Sequence, residues 1–316
     1  MPLTNKKISA IVTCYNDARA IPIMLERLHK TLGEITANYE IIYVNDGSPD
    51  NAEDVLREIA NKDSRLTAIL HSRNFGSQNS FTSGMAVATG DAVVLLDGDL
   101  QDPPELILEF VKNWLNGFDV VYGARVKREA PKLMQVAYKL FYRLFKKLSY
   151  VKIPLDAGDF SLMDRKVVDA LNSMPEADRF MRGLRAWAGF KQIGVPYTRP
   201  ERMFGKTTNS LLKNIRWAKK GIFSFSYTPL EWISYLSVIV IFLSLIAIII
   251  YIVGYFFFPR GAKGIQTIIV LVLFLGSIQL LSLSIIAEYL GRIFEETKRR
   301  PKYIVKEIIN DHRKNK

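Results

Sequence analysis

Cysteine is almost missing from this chain of 316 residues, where Cys14 stands alone. No intrachain disulfide can form, which fits a reducing compartment. No histidine lies in the motif around Cys14, so it reads as a small buried residue at a strand end rather than a nucleophile. The amino-terminal run Met1-Pro-Leu-Thr-Asn-Lys-Lys7 has no hydrophobic signal segment, and the expectation is that nothing exports the soluble part. Internal repeats and low-complexity tracts are absent as well. Charge is absent from two long stretches, residues 232–258 and 265–287. Buried core helices seldom run past about 20 residues without a charge on any face, and a bilayer core takes roughly 20 apolar residues at helical rise. Both stretches are therefore expected to span a membrane.

Only residues 259–264 separate the two runs, so they form a tight hairpin whose outer ends emerge on one side. Lys213, Arg216, Lys219 and Lys220 precede the first run, and Arg292, Lys298, Arg299, Arg300 and Lys302 follow the second. The tip carries only Arg260 and Lys263. The positive-inside rule then places both termini in the cytoplasm, at the inner or plasma membrane. The net charge of +12 invites a nucleic-acid partner, but the basic residues gather beside the spans and on two amphipathic stretches, residues 132–150 and 210–223. Such stretches suit the surface of an anionic leaflet or dock on a core as ordinary surface helices, and no nucleic acid is expected. Gly276, Ser277, Ser282 and Ser284 could pack helices within or between protomers of a homo-oligomer. Glu288 reads as a side chain snorkelling at the interface.

Before the hairpin, strand and helix signals alternate. Short β-rich runs occupy residues 7–14, 39–44, 66–71, 92–96 and 120–124. Helical patterns fill 21–32, with Pro22 in the first turn, then 54–60, 77–88 and 104–116. This alternation predicts an α/β fold with a parallel sheet covered on both faces and ligands beyond the strands' carboxyl ends. The expected organisation is a soluble α/β domain over residues 1–208, a juxtamembrane amphipathic segment over 209–230, the hairpin over 231–288 and a basic tail over 289–316.

Polar residues cluster where such a sheet binds ligands. Thr13-Cys-Tyr-Asn-Asp17 follows the first strand, Asn45-Asp-Gly-Ser-Pro-Asp50 the second, and Asp97-Gly-Asp-Leu-Gln-Asp-Pro-Pro104 the fourth. Singly, each has a structural explanation: Asp46-Gly47 as a turn, Ser48 or Asp50 as a helix N-cap, and Asp102 capping a helix that starts at Pro103 or Pro104. Three acidic loops at one sheet edge make a stronger signal. In an extended segment Asp97 and Asp99 face one point, and two carboxylates held together repel unless a cation sits between them. Mg2+ or Mn2+ takes one or two carboxylates plus substrate phosphates, and Gln101 continues the alternation with another oxygen. The Cys and His ligands that zinc favours are missing from the constellation.

Taken together, Tyr15-Asn16, Val44-Asn-Asp-Gly-Ser48, Gly90-Asp91 and Leu96-Asp-Gly-Asp-Leu-Gln-Asp-Pro-Pro104 resemble the family-2 inverting glycosyltransferases of GT-A fold. The acidic run narrows the resemblance to the dolichol-phosphate-mannose-synthase-like branch. With Gly158-Asp-Phe160, Leu162-Met-Asp-Arg165, Arg179-Phe-Met-Arg-Gly183 and the hairpin, the chain is similar to bacterial polyprenyl-phosphate (bactoprenol) glucosyltransferases. The resemblance implies that Tyr15 and Asp46 contact the base and ribose. Asp97 would lie against the nucleotide and help the metal, while Asp99 and Gln101 hold the metal on the diphosphate. It implies that Arg125 grips the acceptor phosphate, with Lys139 or Arg143 as second partner. Arg202 would belong to a loop closing over the diphosphate; Thr208 stands where the family has Lys or Arg, with Lys206 as the substitute.

The reaction so implied moves a hexose, by overall resemblance glucose from UDP-glucose, onto undecaprenyl or another polyprenyl phosphate at the cytoplasmic leaflet. The catalytic residues expected are Asp99, Arg125 and Asp159. A phosphate monoester has a second pKa of about 6, so this nucleophile is already ionised near neutral pH. Asp159 then stands as a general base or as the ion-pair partner of a neighbouring arginine. Two other readings share the acidic motifs. A processive polysaccharide synthase is the first, with Lys213-Asn-Ile-Arg-Trp217 as a partial match to its Gln-x-x-Arg-Trp signature, although one hairpin cannot enclose a polymer channel. The second is a noncatalytic nucleotide-binding scaffold, which predicts the loss of a metal carboxylate.

Overall fold

The computed structural model describes residues 2–125, 151, 154, 157–200, 203, 226–257, 264–311 and 313. These divide into a sheet unit, residues 2–203 and 300–313, and a helical unit, residues 226–299. The sheet unit opens with β1 (Ile8–Cys14), α1 (Ile21–Ile35), β2 (Tyr39–Asn45), α2 (Ala52–Ala60), β3 (Leu66–His71), α3 (Ser77–Val87), β4 (Ala92–Asp97), α4 (Ile107–Leu115) and β5 (Val120–Arg125). Then come β6 (Ala157–Asp164), α5 (Arg165–Ser173), α6 (Met181–Trp187), β7 (Gln192–Tyr197) and, after the helical unit, β8 (Val305–Ile309).

Every residue of β1, β2 and β3 is buried, because helices cover both faces of these strands and leave no solvent side to alternate toward. α1 carries Pro22 in its first turn and buries Met24, Leu25, Leu28, Leu32 and Ile35 at helical spacing against that sheet. α3 crosses so closely that a Cβ on Gly84 would run into the Ile11 side chain.

The strand order is β7-β5-β6-β4-β1-β2-β3-β8. β1 runs parallel to β2 and β4, and β2 parallel to β3, as the alternation predicts. β6 enters between β4 and β5 antiparallel to both. β8 pairs antiparallel with β3, so part of the segment read as a basic tail closes the sheet's far edge. An open edge is a pairing hazard, and β8 occupies it. Arg57 donates to Glu307 at 2.5 and 3.0 Å, and Lys306 reaches Glu53 at 3.1 Å. Thr67 Oγ1 donates to Asn310 O at 2.9 Å. Exposed pairs of this kind contribute only about 0–1 kcal/mol each, so the backbone ladder holds the strand.

Gly47 shows how tightly the ligand edge is built. Its φ is +62°, and an added Cβ would overlap the main chain of Arg73. Gly47→Ala is expected to cost about 2–4 kcal/mol, combining left-handed strain with displacement of the loop after β3. A urea melt measures this, and a loss below about 0.5 kcal/mol would mean that the loop yields freely.

In the helical unit, α7 (Thr228–Phe257) and α8 (Ile265–Thr297) are long and apolar enough to cross a membrane. At 1.5 Å per residue, 30 and 33 residues rise about 45 and 50 Å, against a hydrocarbon core of about 30 Å. Large apolar side chains such as Ile239, Phe242, Val270 and Leu273 are more than half exposed. Near the end of α8, Tyr289 OH donates to Ser226 O just before α7, at 2.7 Å, which is the pairing an antiparallel hairpin produces. The hairpin tip, residues 258–263, and the amphipathic stretches 132–150 and 210–223 lie outside the described residues.

Candidate functional site

Strand register gathers the polar loops. Cys14 lies opposite Asn45, and Thr13 opposite Asp97, so the loops after β1, β2 and β4 leave the sheet at one edge. They enclose a cleft of about 350 Å³ lined by Thr13, Tyr15, Asp17, Asp46, Asn74, Ser77, Ser80, Asp97 and Asp99, among others. Four expected residues, Tyr15, Asp46, Asp97 and Asp99, thus share one cleft. Tyr15 is 46% exposed, an aromatic face open to a planar ligand. Cys14 is buried, and burial first, then Asp50, Asp17 and Asp46, pushes its thiol well up, so it stays protonated and inert.

Ser48 and Asp50 tie the first two loops together. Ser48 Oγ accepts from Asn16 N at 2.6 Å and donates to Asp50 Oδ1 at 2.6 Å, while Asp50 Oδ2 accepts from Ala18 N at 2.9 Å. Asp50 also reaches Ala52 N at 3.2 Å, but the N-cap position of α2 is Asn51, which caps with no side-chain bond.

Asp46 is buried and fully engaged. It accepts from His71 Nδ1 at 2.9 Å, Phe75 N at 2.9 Å and Gly76 N at 2.7 Å. Burial opposes its charge, yet these donors outweigh burial and hold the carboxyl below its usual range. Asp46 therefore builds the cleft wall at residues 74–77, a role that Asp-Gly as a turn did not announce.

Asp97 ends β4, and the chain then turns. Leu100, buried in the core, adopts φ +62°, a strained conformation for a bulky side chain. The turn breaks the alternation on which Gln101 was placed beside Asp97 and Asp99. Gln101 Nε2 instead donates to Pro200 O at 3.0 Å, and its amide N donates to Asp99 Oδ1 at 3.1 Å. Asp97 and Asp99 do face one point, because a single nitrogen, Arg199 Nη2, stands 3.7 Å from one and 3.5 Å from the other. Asp102 belongs to the same cluster rather than capping a helix. It is 1% exposed, accepts from Tyr197 OH at 3.0 Å and lies 3.8 Å from Arg199 Nε. Enclosure, then Asp102, Asp99 and Asp159, push the Asp97 carboxyl up to about 8, with Arg199 offsetting part of the rise. Crowded negative charge of this kind is what a cation relieves. Among the described residues no three His, Cys, Asp or Glu converge as a self-sufficient ligand set. Asp97 and Asp99 thus fit Mg2+ or Mn2+, which takes one or two carboxylates and completes its shell with phosphates.

The neighbouring strands carry the opposite charge. Arg125 ends β5 beside Gly158 of β6, with Nη2 3.5 Å from where a Gly158 Cβ would stand. Arg185 of α6 is buried and donates to Gly158 O at 2.8 Å; burial lowers its pKa to about 10. Arg182 Nε donates to Asp159 Oδ1 at 3.1 Å, and Gln78 Nε2 donates to Asp159 Oδ2 at 3.0 Å. Burial opposes ionisation of Asp159, but Arg182, Arg185 and Gln78 prevail and hold its pKa below the usual value. Asp159 is thus the ion-pair partner of an arginine. Lys139, Arg143, Arg202 and Lys206 lie outside the described residues. Sequence reasoning assigned no site role to His71, Tyr197, Arg199 and Arg185. Arg199 had a faint signal in its closeness to the Arg202 motif, and the others had none.

Known proteins resemble this chain in sequence and in fold. A bactoprenol glucosyl transferase of Shigella phage SfV is 35% identical, covering 95% of this chain and 98% of its own. An uncharacterized glycosyltransferase of Bacillus subtilis is 41% identical over 94% of this chain and 92% of its own. The fold is shared with a mannosyltransferase from Pyrobaculum calidifontis, solved in complex with GDP-Man and Mn2+. The TM-score is 0.51 at 21% identity, over 71% of this chain and 64% of that one, just under two thirds of its length. Glycosyl transferase family 2 matches residues 9–171, slightly more than half of the sequence. With that span and relatives alike from end to end, the chain belongs to glycosyl transferase family 2 and has the GT-A fold.

Proposed function

We propose that this enzyme transfers glucose from UDP-glucose to a polyprenyl phosphate, with inversion, at the cytoplasmic leaflet of the membrane. One observation carries the reading: an acidic cluster and an arginine cluster meet at the ligand edge. Asp97, Asp99 and Asp102 share Arg199, while Arg182 pairs with Asp159, Arg185 holds Gly158 O, and Arg125 stands beside Gly158 and Tyr197. The acidic half suits a donor diphosphate carried with a divalent cation, and the basic half suits an anionic phosphate acceptor. The bactoprenol glucosyl transferase relative supports the choice of sugar and lipid.

Tyr15 offers its exposed ring to the base, and the 74–77 wall braced by Asp46 receives the ribose side. Asp97 and Asp99 would hold Mg2+ or Mn2+ beside the donor diphosphate, and the metal when bound would supply positive charge to the leaving group. Arg125 orients the acceptor phosphate. That phosphate is already ionised near neutral pH, so positioning rather than proton removal is the task of this side of the cleft. Asp159, held ionised by Arg182, fixes the arginine and need not act as a base. α7 and α8 cross the bilayer with both outer ends in the cytoplasm, supported by the excess of Lys and Arg beside those ends.

The test is turnover by the full chain in detergent, with radiolabelled UDP-glucose, undecaprenyl phosphate and Mg2+ or Mn2+. Label is expected in a lipid product bearing one sugar, and chelator is expected to remove it. Product from another nucleotide sugar alone would replace the donor. A polymer, or nucleotide binding without product from any donor, would overturn the reaction proposed.

A further inference from the structure

Residues 300–311 follow α8 in sequence yet fold into the sheet unit, beside the cleft wall. Ser72 N, the first residue beyond β3, donates to Ile304 O at 3.0 Å, and the β3–β8 ladder begins there. The residue before Ile304 is Tyr303. Its ring lies flat on His71, with centroids 5.5 Å apart and planes 12° from parallel. His71 is buried, and its other contacts are specific. Nδ1 donates to Asp46 Oδ1 at 2.9 Å, Nε2 meets Ser83 Oγ at 2.9 Å, and the Phe75 ring packs edge-on at 5.7 Å. Asp46 in turn accepts from Phe75 N and Gly76 N, the amides that shape the wall carrying Asn74, Ser77 and Ser80. A continuous line of contacts thus runs from Tyr303 through His71 and Asp46 to the surface of the cleft.

We infer that Tyr303 is a positioning residue of the donor site: its stack fixes the His71 imidazole, His71 fixes the Asp46 carboxylate, and Asp46 sets the 74–77 wall. The inference rests on the cleft being the nucleotide-diphosphate site, and it gives the carboxyl-terminal segment a part in donor binding. A carboxylate that accepts three hydrogen bonds is oriented by all of them. Without the Tyr303 face, the imidazole gains room to rotate, and the wall amides lose their fixed acceptor. Displacements of about 1 Å at a binding wall weaken affinity without abolishing it.

The experiment compares UDP binding in Mn2+, by calorimetry on the full chain in detergent, for wild type, Tyr303→Leu, Tyr303→Phe and Glu307→Gln. Donor KM and kcat are measured alongside. A cleft wall that loses its fixed orientation is expected to weaken UDP binding by about 1.4 kcal/mol, about a tenfold change in Kd. Tyr303→Leu is expected to raise the Kd for UDP and the KM for donor by about that factor, with kcat and the KM for lipid acceptor within about twofold of wild type. Tyr303→Phe keeps the face and is expected to bind UDP like wild type. Glu307→Gln removes the β8 charge that pairs with Arg57 and leaves both the ladder and the stack, so its UDP affinity should be unchanged. Equal UDP affinity in Tyr303→Leu and wild type would overturn the role of Tyr303 while leaving the site intact. Equal weakening in Tyr303→Leu and Glu307→Gln would reduce it to general support of the edge strand. A wild-type chain that binds no nucleoside diphosphate would overturn the reading of the cleft and the inference with it.

Discussion

Asp99→Asn is expected to lower kcat/KM for the donor on the order of 10³-fold, about 4 kcal/mol of transition-state stabilisation, with no loss of folded stability. The substitution keeps the shape of the side chain and removes one negative charge. In the folded protein that charge faces Asp97 and Asp102 across Arg199, in a cluster that already drives the Asp97 carboxyl up to about 8. Removing it therefore relieves repulsion, and thermal unfolding should be unchanged or slightly later. The functional cost arises because a divalent cation needs charged oxygens from the protein, and Asp97 alone supplies a single carboxylate. Two measurements separate these effects. Mn2+ affinity in the presence of UDP should fall together with turnover, while Tm does not. Wild-type Mn2+ affinity in Asp99→Asn would move the cation to other ligands, whatever happened to turnover.

The sequence made the acidic cleft of this enzyme legible, and the reason is topological. β1, β2 and β4 are parallel neighbours, so the loops at their carboxyl ends are together by construction, and short apolar runs sufficed to place Tyr15, Asp46, Asp97 and Asp99 at one edge. The strands from β1 to β5 begin or end within a residue of the expected limits for the same reason: two-sided burial makes them continuous apolar runs. The far half was harder to read. β6 lies between β4 and β5 but follows both in the chain, and its antiparallel entry has no local signature. Asp159 was therefore picked out, with an arginine partner as one of its two readings, but not that Arg182 and Gln78, from separate helices, both hold it. Local periodicity also failed at Gln101, where the left-handed Leu100 breaks the alternation. Tyr303 and β8 were hidden by sequence distance: more than 200 residues separate β8 from the β3 edge it completes, and a basic, polar stretch after a long apolar helix reads as a tail.

Arg125→Gln is the second large effect, and it should fall on the other substrate. A phosphate gripped by a guanidinium receives charge-assisted hydrogen bonds of about 1.5–3 kcal/mol each, so kcat/KM for polyprenyl phosphate is expected to drop about 10²-fold. Arg125→Lys keeps the charge but loses the planar fork, and a drop of about tenfold is expected there. The side chain contributes little to the fold, since its hydrogen bond to Tyr197 OH is long, at 3.4 Å, and Tyr197 keeps Asp102 as its other partner at 3.0 Å. What makes the variant informative is that the side-chain partner of Arg125 is Tyr197 rather than Asp97 or Asp99. UDP affinity should therefore be unchanged in Arg125→Gln while the KM for lipid rises. The reverse pattern, a weaker donor with an unmoved lipid KM, would assign Arg125 to the diphosphate and leave Arg182 and Arg185 as the acceptor's only described cations. In that case the basic half would have to bind its phosphate through two side chains already engaged with Asp159 and Gly158, which the double variant with Arg182→Gln would then expose.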